Sequence, residues 1–503
     1  MAIGLMATGL MATGLITAGL LTSKNKFFIL SLSLSLILIS CKTVGPNYKR
    51  TQANLPATYS EADASASAAS NTQKNWWLQY QDSTLNDLID LSLKNNTNIA
   101  LAAARIEEAD ASMREVGASL YPQVNLGAGA SRRKVTELGA FPTFGGAIRN
   151  NFNFGLSTSY EIDFWGKIKR NKEFAAANAL ASRAGKDTVE LSLIGLVASN
   201  YLQLRGLDAQ IAVTKDNQLS RKEALSLNQR RLTGGVASAL EVSQAEVQVS
   251  NLEAQLTELT RARTLTLHQL AVLTGRLDLT LAAGDLRSQP LPPTPPAGLP
   301  SALLENRPDI RQAEQNLIAQ NAKIGVAKAA MYPNISLTGS LGAESVDLGD
   351  ILKAGSRIWS FGFGLDLPIF DSNRRKSRVE QADARQKQAL AQYQTAIQDA
   401  FREVNDALIS RRLNVEREQA LMRSQASAKK ALRVAENRYK SGYSAYLEVL
   451  DAQRVHNDAS LAVVQAKQAT FLATVELFKA LGGDWKANLV DSNSTNTNVV
   501  KTH

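Results

Sequence analysis

WSFGFGLDLPIF, residues 359–370, sets Trp359, Phe361, Phe363, Leu365 and Leu367 on one side of an extended chain and Ser360, Gly362, Gly364 and Asp366 on the other. Strict alternation is the pattern of a β-strand with one apolar and one wet face. Pro368 ends the strand, and residues 374–440 then run for 67 positions with neither Pro nor Gly. That run predicts a single helix on the order of 100 Å long, at about 1.5 Å per residue. Ordinary globular helices are several times shorter.

The same pattern stands earlier in the chain. Phe152, Phe154, Leu156, Thr158, Tyr160 and Ile162 alternate with Asn151, Asn153, Gly155, Ser157, Ser159 and Glu161, and a second helical run covers 167–233. Two more alternating segments each open on Tyr-Pro, at 121–130 and 332–344. GASLYPQVNL pairs with KAAMYPNISL, and RRLTGGVASALEV with NRYKSGYSAYLEV. The chain is an internal duplication, and the repeat fixes the expected architecture.

Apolar residues make up 44% of the chain but aromatic residues only 6%, which suits packed long helices better than a large globular interior. The formal net charge is +10. It is spread along helices among many acids, without the aromatic-interleaved basic patch of a nucleic-acid binder, so nucleic acid is not an expected partner. The lone cysteine, Cys41, rules out an intrachain disulfide. Lys24 and Lys26 precede a short apolar segment, FFILSLSLSLILIS, and Leu38-Ile39-Ser40-Cys41 resembles a bacterial lipobox. The segment is too short for a comfortable membrane span and fits a signal peptide better. Acylation of Cys41 is expected, each buried methylene adding about 0.8 kcal/mol of membrane affinity.

The expected organisation follows. Residues 1–40 are a signal peptide whose first part repeats MATGL-like units, and 41–83 a lipid-anchored extended segment pinned by Trp76, Trp77 and Tyr80. Residues 84–283 form the first repeat, with a helix to about 118, strands 121–130 and 150–163, a long helix and a return helix at about 239–273. Residues 284–300 are a Pro-rich linker. Residues 301–483 form the second repeat, with helix 301–330, strands 332–344 and 357–369, long helix 374–440 and return helix 445–481. An Asn-, Ser- and Thr-rich tail, 484–503, is expected to be disordered. On the second long helix Tyr393, Ile397, Ala400, Val404 and Ala407 recur as a coiled-coil seam.

Each strand offers about ten residues, enough to cross a bilayer at barrel tilt. Aromatic residues stand near strand ends (Tyr121, Tyr160, Trp165, Tyr332, Trp359, Phe370), where an interfacial girdle sits. A soluble antiparallel sheet alternates in the same way. The leader, the lipobox and the length of the helices favour the membrane. Four strands cannot close a barrel, for which about eight are the practical minimum. Open edges in lipid leave backbone groups unsatisfied, so oligomerisation is required. The expected product is a conduit.

CKTVGPNY after the lipobox, NRPDIRQAEQNLIAQNAKIGVAKAAMYPNISLTGSLG (306–342), LPIFDSNRRK (367–376) and RYKSGYSAYLEVLDAQR (438–454) together resemble the outer-membrane factor (TolC-like) family, in its efflux-lipoprotein branch. The resemblance implies a mainly α homotrimer. Four strands from each protomer form a twelve-stranded transmembrane β-barrel continuous with a long periplasmic α-helical barrel. It implies a bacterial outer-membrane protein, a passive exit duct for drugs or other small toxic compounds. The implied partners are a periplasmic adaptor (membrane fusion) protein and an inner-membrane efflux pump. It also implies a periplasmic gate at which acidic residues ring the constriction. The match puts Asp451 on that ring, with Leu447 one turn before it and Glu448 on the same helix face. A hydrated outer face is the competing place for these charges. Glu241 corresponds to Glu448 in the first repeat and is a candidate to link to Arg438 or Tyr439 and hold the tip shut. Gln244 stands where the second repeat has Asp451, so any ring is threefold. The turns with Gly234, Gly235, Ser441 and Gly442 are the candidate adaptor contact.

No phosphate-binding loop is present, and His268, His456 and His503 have no metal-ligand spacing. No catalytic residue and no cofactor are expected; the chain does not read as an enzyme. Two alternatives to the efflux duct are a non-conducting lipid-anchored coiled-coil scaffold and a duct for secreted protein.

Overall fold

The computed structural model describes residues 43–50, 55–56, 58–59, 75–134, 136, 148–293, 305 and 307–483. The expected leader, Cys41, part of the linker and the C-terminal tail lie outside the described residues. The chain divides into two compact units. One takes in the described residues up to Tyr48 together with Ser112–Ala175 and Ala319–Gln386, as far as these are described. The other takes in the described residues of Lys49–Ala111, of Ala176–Ile318 and from Lys387 to Gly483.

The first unit is built on a four-stranded antiparallel sheet: β1 (Gln123–Lys134), β2 (Ile148–Glu161), β3 (Asn334–Ser345) and β4 (Arg357–Asp366), side by side in chain order. Pairing sets Leu126 opposite Leu156, Leu156 opposite Leu341 and Leu341 opposite Trp359, one apolar row across all four strands. Since side chains alternate, Val124, Phe154, Leu337, Phe361, Phe363 and Leu365 share that face, while Asn125, Ser157, Ser340 and Ser360 share the other. Gly155 and Gly342 lie opposite each other in the middle of the sheet. A Cβ on Gly155 would stand 2.8 Å from Leu341 O, so only glycine permits this close strand approach.

Two strand ends differ from expectation by three residues or more. β1 runs to Lys134 because Ser131, Arg132, Arg133 and Lys134 pair with Asn151, Asn150, Arg149 and Ile148. Polar residues on both faces hide that extension from an alternation argument. β4 ends at Asp366, short of 369, as Pro368 lacks an N–H and restricts the residue before it.

Below β2, Asp163 accepts from the backbone N–H groups of Ile168 and Lys169 at 2.9 and 2.8 Å, starting α3 (Lys167–Thr233). The Trp165 ring stacks on Tyr332 with centroids 4.6 Å apart, and its indole N–H donates to Pro333 O at 2.8 Å. Val44 N–H donates to Trp165 O, fastening the N-terminal arm there. Arg170, itself buried, donates to Val44 O, Gly45 O and Asn47 Oδ1.

The second unit holds the main hydrophobic core. The short 3-10 helix Trp76–Tyr80 inserts Trp76, Trp77 and Tyr80 among Leu85 and Ile89 of α1 (Ser83–Asn95), Val197 and Tyr201 of α3, and Leu270 of α4 (Ala239–Thr274). Phe471 and Phe478 of α7 (Tyr446–Ala480) complete it, with Trp76 stacked on Phe478 at 5.0 Å. The single helix expected up to residue 118 is two, because α1 stops at Asn96 and α2 (Thr97–Ala118) begins there. The Asn96 amide donates to Leu273 O, and its Oδ1 caps Asn98 N–H. The helix expected from 301 is described as α5 (Pro308–Ala329), with Pro at its first position, where the missing N–H costs nothing.

The start of the expected linker is packed rather than loose. Gly284 N–H donates to Asp208 Oδ2 at 3.0 Å, and Leu286 is buried in the core. Asp208 is enclosed between Arg205 at 3.0 Å and Arg263 at 2.5 Å. On α6 (Arg374–Lys440) the seam residues Tyr393, Ile397, Ala400, Val404 and Ala407 are all buried. Among the described residues no helix is long and apolar enough to cross a membrane.

Candidate gate at the helical tips

The two helical hairpins of the second unit, α3–α4 and α6–α7, close by the same turn. Gly235 has φ 77° and Gly442 φ 79°, left-handed values that glycine takes without the Cβ clash. The carbonyls of Arg231 and Arg438 then accept from Val236 N–H at 2.9 Å and Tyr443 N–H at 2.8 Å. Gly234 and Ser441 precede these glycines and donate their backbone N–H to Arg230 O and Asn437 O, 3.0 Å in both cases.

Past the turns the copies diverge. Ser238 and Glu241 form a reciprocal capping box on α4: Glu241 N–H donates to Ser238 Oγ at 3.3 Å and Ser238 N–H to Glu241 Oε2 at 3.2 Å. The second copy has Ala445 at the cap, which offers no side-chain acceptor, and the Glu448 carboxylate is released. Its carboxylate instead lies 3.7 Å from Arg438 Nε.

Glu241 is therefore turned toward its own helix rather than bonded to Arg438 or Tyr439. The Tyr439 hydroxyl donates to Asn228 Oδ1 at 3.2 Å, and the Arg231 guanidinium sits 4.7 Å from its ring centroid. Tyr439 also lies 5.2 Å from Tyr446, in a small core with Ala245, Ala435, Val449 and Leu450. Burial pushes the Tyr439 phenol up, nearby Glu241 adds to that, and Arg231 opposes it.

Leu447, Glu448 and Asp451 occupy the other side of α7 and are exposed in the single chain. Arg454 donates to Asp451 Oδ1 at 2.8 Å and also lies 3.8 Å from Asp458. Leu447, Asp451, Arg454 and Asp458, at steps of four, three and four, make one stripe down the helix. Glu448 and Asp451 also line the groove between α6 and α7, with Lys430, Val434 and Arg438. One chain thus presents these residues without constricting anything; a ring needs further copies.

Sequence reasoning missed the polar residues behind the tip. Asn228 is 1% exposed. Arg221 is buried, donates to Gln453 O at 3.3 Å and is held below its ordinary pKa by burial. His456 is pushed down by burial, with Lys429 and Arg221 adding to the shift and Glu436 opposing it. The available signal was amide and basic side chains at core-facing helical positions, which hydrophobic periodicity passes over. Among the described residues no group of three or more His, Cys, Asp or Glu is placed to hold a metal.

Comparison with known proteins places this geometry. Residues 88–276 and 299–483 match the family model for outer membrane efflux proteins. The chain is 34% identical to outer membrane protein OprJ of Pseudomonas aeruginosa, over 92% of this chain and 97% of that one. It is 30% identical to the probable outer membrane lipoprotein SilC of Salmonella typhimurium, over 92% and 99%. The crystal structure of the CmeC outer membrane channel of Campylobacter jejuni superposes with a TM-score of 0.82 at 28% identity, covering 89% of this chain and 96% of that one.

Proposed function

Since the chain belongs to the outer membrane efflux protein family, we propose that it is the outer-membrane exit duct of a tripartite efflux system. It passes drugs or other small toxic compounds without recognising them closely. The observation that carries this reading is the apolar row Leu126–Leu156–Leu341–Trp359. Leu126 is 75% and Trp359 78% exposed, on a sheet whose opposite face is lined with Asn, Ser and Gly. Lipid satisfies the apolar face and water the other. The free edges of β1 and β4 are satisfied only by neighbouring copies. A homotrimer supplies twelve strands, and the helical hairpins of three copies supply the periplasmic tube.

The finer assignments extend this reading. Acylated Cys41 anchors the chain in the outer membrane. Leu447, Glu448 and Asp451 gather around the axis at the tip as the resting constriction, with Arg438 holding Glu448 and the buried Tyr439 steadying the hairpin. Glu241 stiffens the first hairpin from its cap. The turns at Gly234, Gly235, Ser441 and Gly442 meet the periplasmic adaptor, and an inner-membrane pump supplies the energy. Single-channel recording of the purified protein in planar bilayers, beside an Asp451→Ala variant, tests this. A small resting conductance that rises in the variant is the expected result. A conducting wild type with an indifferent variant moves the gate elsewhere. Folded, inserted protein that conducts in neither form overturns the duct in favour of a scaffold.

A further inference from the structure

The lipid-facing side of the sheet carries its charge in an uneven way. Pairing and alternation assign Val124, Leu126, Ala128, Ala130, Arg132 and Lys134 of β1 to the apolar face, and Arg357, Trp359, Phe361, Phe363 and Leu365 of β4. The residues of β2 and β3 on that face, from Ile148 to Tyr160 and from Ile335 to Ser345 at every second position, are all uncharged. Among the described residues, Arg132, Lys134 and Arg357 are thus the only charged side chains on that face of the four strands, all cations. All three sit at the end where β1 turns into β2 and β3 into β4. The opposite end, which leads into α3 and α6, has none on this face.

β1 and β4 are also the two edge strands. When copies close the barrel, β4 of one protomer lies beside β1 of the next, antiparallel, and their outer ends meet. Arg357 then joins Arg132 and Lys134 at each seam, on the membrane side, just beyond the apolar band that Trp359 closes. We propose that each seam is a binding site for the phosphorylated headgroup of an anionic outer-leaflet lipid. This rests on the trimeric barrel above. The chemistry is complementary: two guanidinium groups offer forked donors that fit phosphate oxygens, and the ammonium adds a point charge. The aliphatic stems of all three lie along the acyl region while the heads reach the headgroup level. The bare cations repel one another within a seam, so a phosphate between them also holds adjacent protomers together.

The test uses the purified full-length trimer in a neutral detergent and follows Trp fluorescence, Trp359 being two residues from Arg357. Diphosphorylated lipid A is titrated against wild type and an Arg132→Gln/Lys134→Gln/Arg357→Gln variant. Each basic side chain near an anionic lipid surface contributes roughly fivefold in affinity at low salt, so the triple variant should bind about a hundredfold more weakly. Dephosphorylated lipid A should bind the wild type as weakly as the variant binds lipid A. Inorganic phosphate at equal phosphate concentration should not displace the lipid. Equal lipid A affinity in wild type and variant, or equal affinity for the dephosphorylated lipid, overturns the site. Displacement by inorganic phosphate reduces it to a free-anion site and overturns the lipid assignment. Conductance and heat-modifiable trimers are measured on the same samples: if both persist while lipid discrimination is absent, the duct reading stands and only the seam site fails.

Discussion

Glu448 Oε2 lies 3.7 Å from Arg438 Nε, tying the first turn of α7 to the last turn of α6. Both side chains are more than half exposed, so the pair adds little stability and is screened by salt. Its interest lies in what the first repeat does instead. There Glu241 is held by Ser238, and Arg231 lies over the Tyr439 ring. One difference at the cap, Ser238 against Ala445, turns Glu241 back onto its own helix and leaves Glu448 to Arg438.

Ala445→Ser should recreate the capping box in the second hairpin, since Glu448 already stands at its third position. The start of α7 should gain about 0.5–1 kcal/mol, and Glu448 should leave Arg438. Slower amide hydrogen exchange at residues 446–448 is the readout. Ser238→Ala should do the reverse at 239–241, losing about 1 kcal/mol. Unchanged exchange in both variants would mean that the caps do not limit opening of the tip.

Arg454 neutralises part of the stripe that Asp451 and Asp458 present on α7. If that stripe faces the lumen, Arg454→Ala leaves six uncompensated carboxylates in a trimer. Cation-over-anion permeability should then rise, shifting the reversal potential in a salt gradient toward the cation limit. A reversal potential equal to that of the wild type would place the stripe on the outer surface.

Alternation within each of the four segments was enough to assign its faces, because a period of two leaves no freedom along a strand once one residue is placed. The long helices were equally legible, from proline-free runs and the repeat. The tip was legible only in part. Repeat alignment equated Glu241 with Glu448, yet side-chain bonding follows the residue three places earlier, and Ser238 and Ala445 differ. Arg221, Asn228 and Gln453 were illegible because a buried polar residue on a helix reads as a solvated one until its neighbours are known. Asn96 splits a helix by side-chain bonds to Leu273 and Asn98, partners that periodicity does not weigh.

Asp208 should be the most sensitive ionisable position in the second unit. Its carboxylate is almost fully buried between Arg205 and Arg263 and accepts Gly284 N–H. Asp208→Ala strands two guanidinium groups and frees the chain at Gly284, for a loss of about 3–5 kcal/mol. Thermal unfolding of the detergent-solubilised protein checks it. A loss below about 1 kcal/mol would mean that water reaches both arginines in the variant.

His456 gives the tip a pH dependence of stated sign. Burial and the cations Lys429 and Arg221 depress its folded-state pKa, with Glu436 opposing. The unfolded chain therefore takes up a proton first, at about the ordinary histidine value of 6.5. Stability is unaffected well above that pH and falls as the pH drops toward the folded-state value. His456→Gln should flatten the decline between about pH 7 and pH 5 in chemical denaturation. An equally steep decline in the variant would assign it to the carboxylates.

Gly325 bears on the N-terminal arm. A Cβ there would stand 2.8 Å from the Arg170 side chain and 2.9 Å from Val44 O, in the contact where Gly45, at φ 100°, lies against α5. Arg170 cannot yield freely, since its donors are committed to Val44, Gly45 and Asn47, so the arm must lift. Thr43 is two residues from Cys41, so with the proposed lipid anchor at Cys41 a lifted arm turns a fixed tie into a loose tether. Gly325→Ala and Arg170→Ala should both speed proteolysis within residues 43–48 while leaving acylation, followed by radiolabelled palmitate, intact. Cys41→Ser should abolish the label and leave proteolysis of the arm unchanged in the solubilised trimer. Should Gly325→Ala leave cleavage at the wild-type rate, Arg170 has found room for the methyl group and the notch is not what holds the arm.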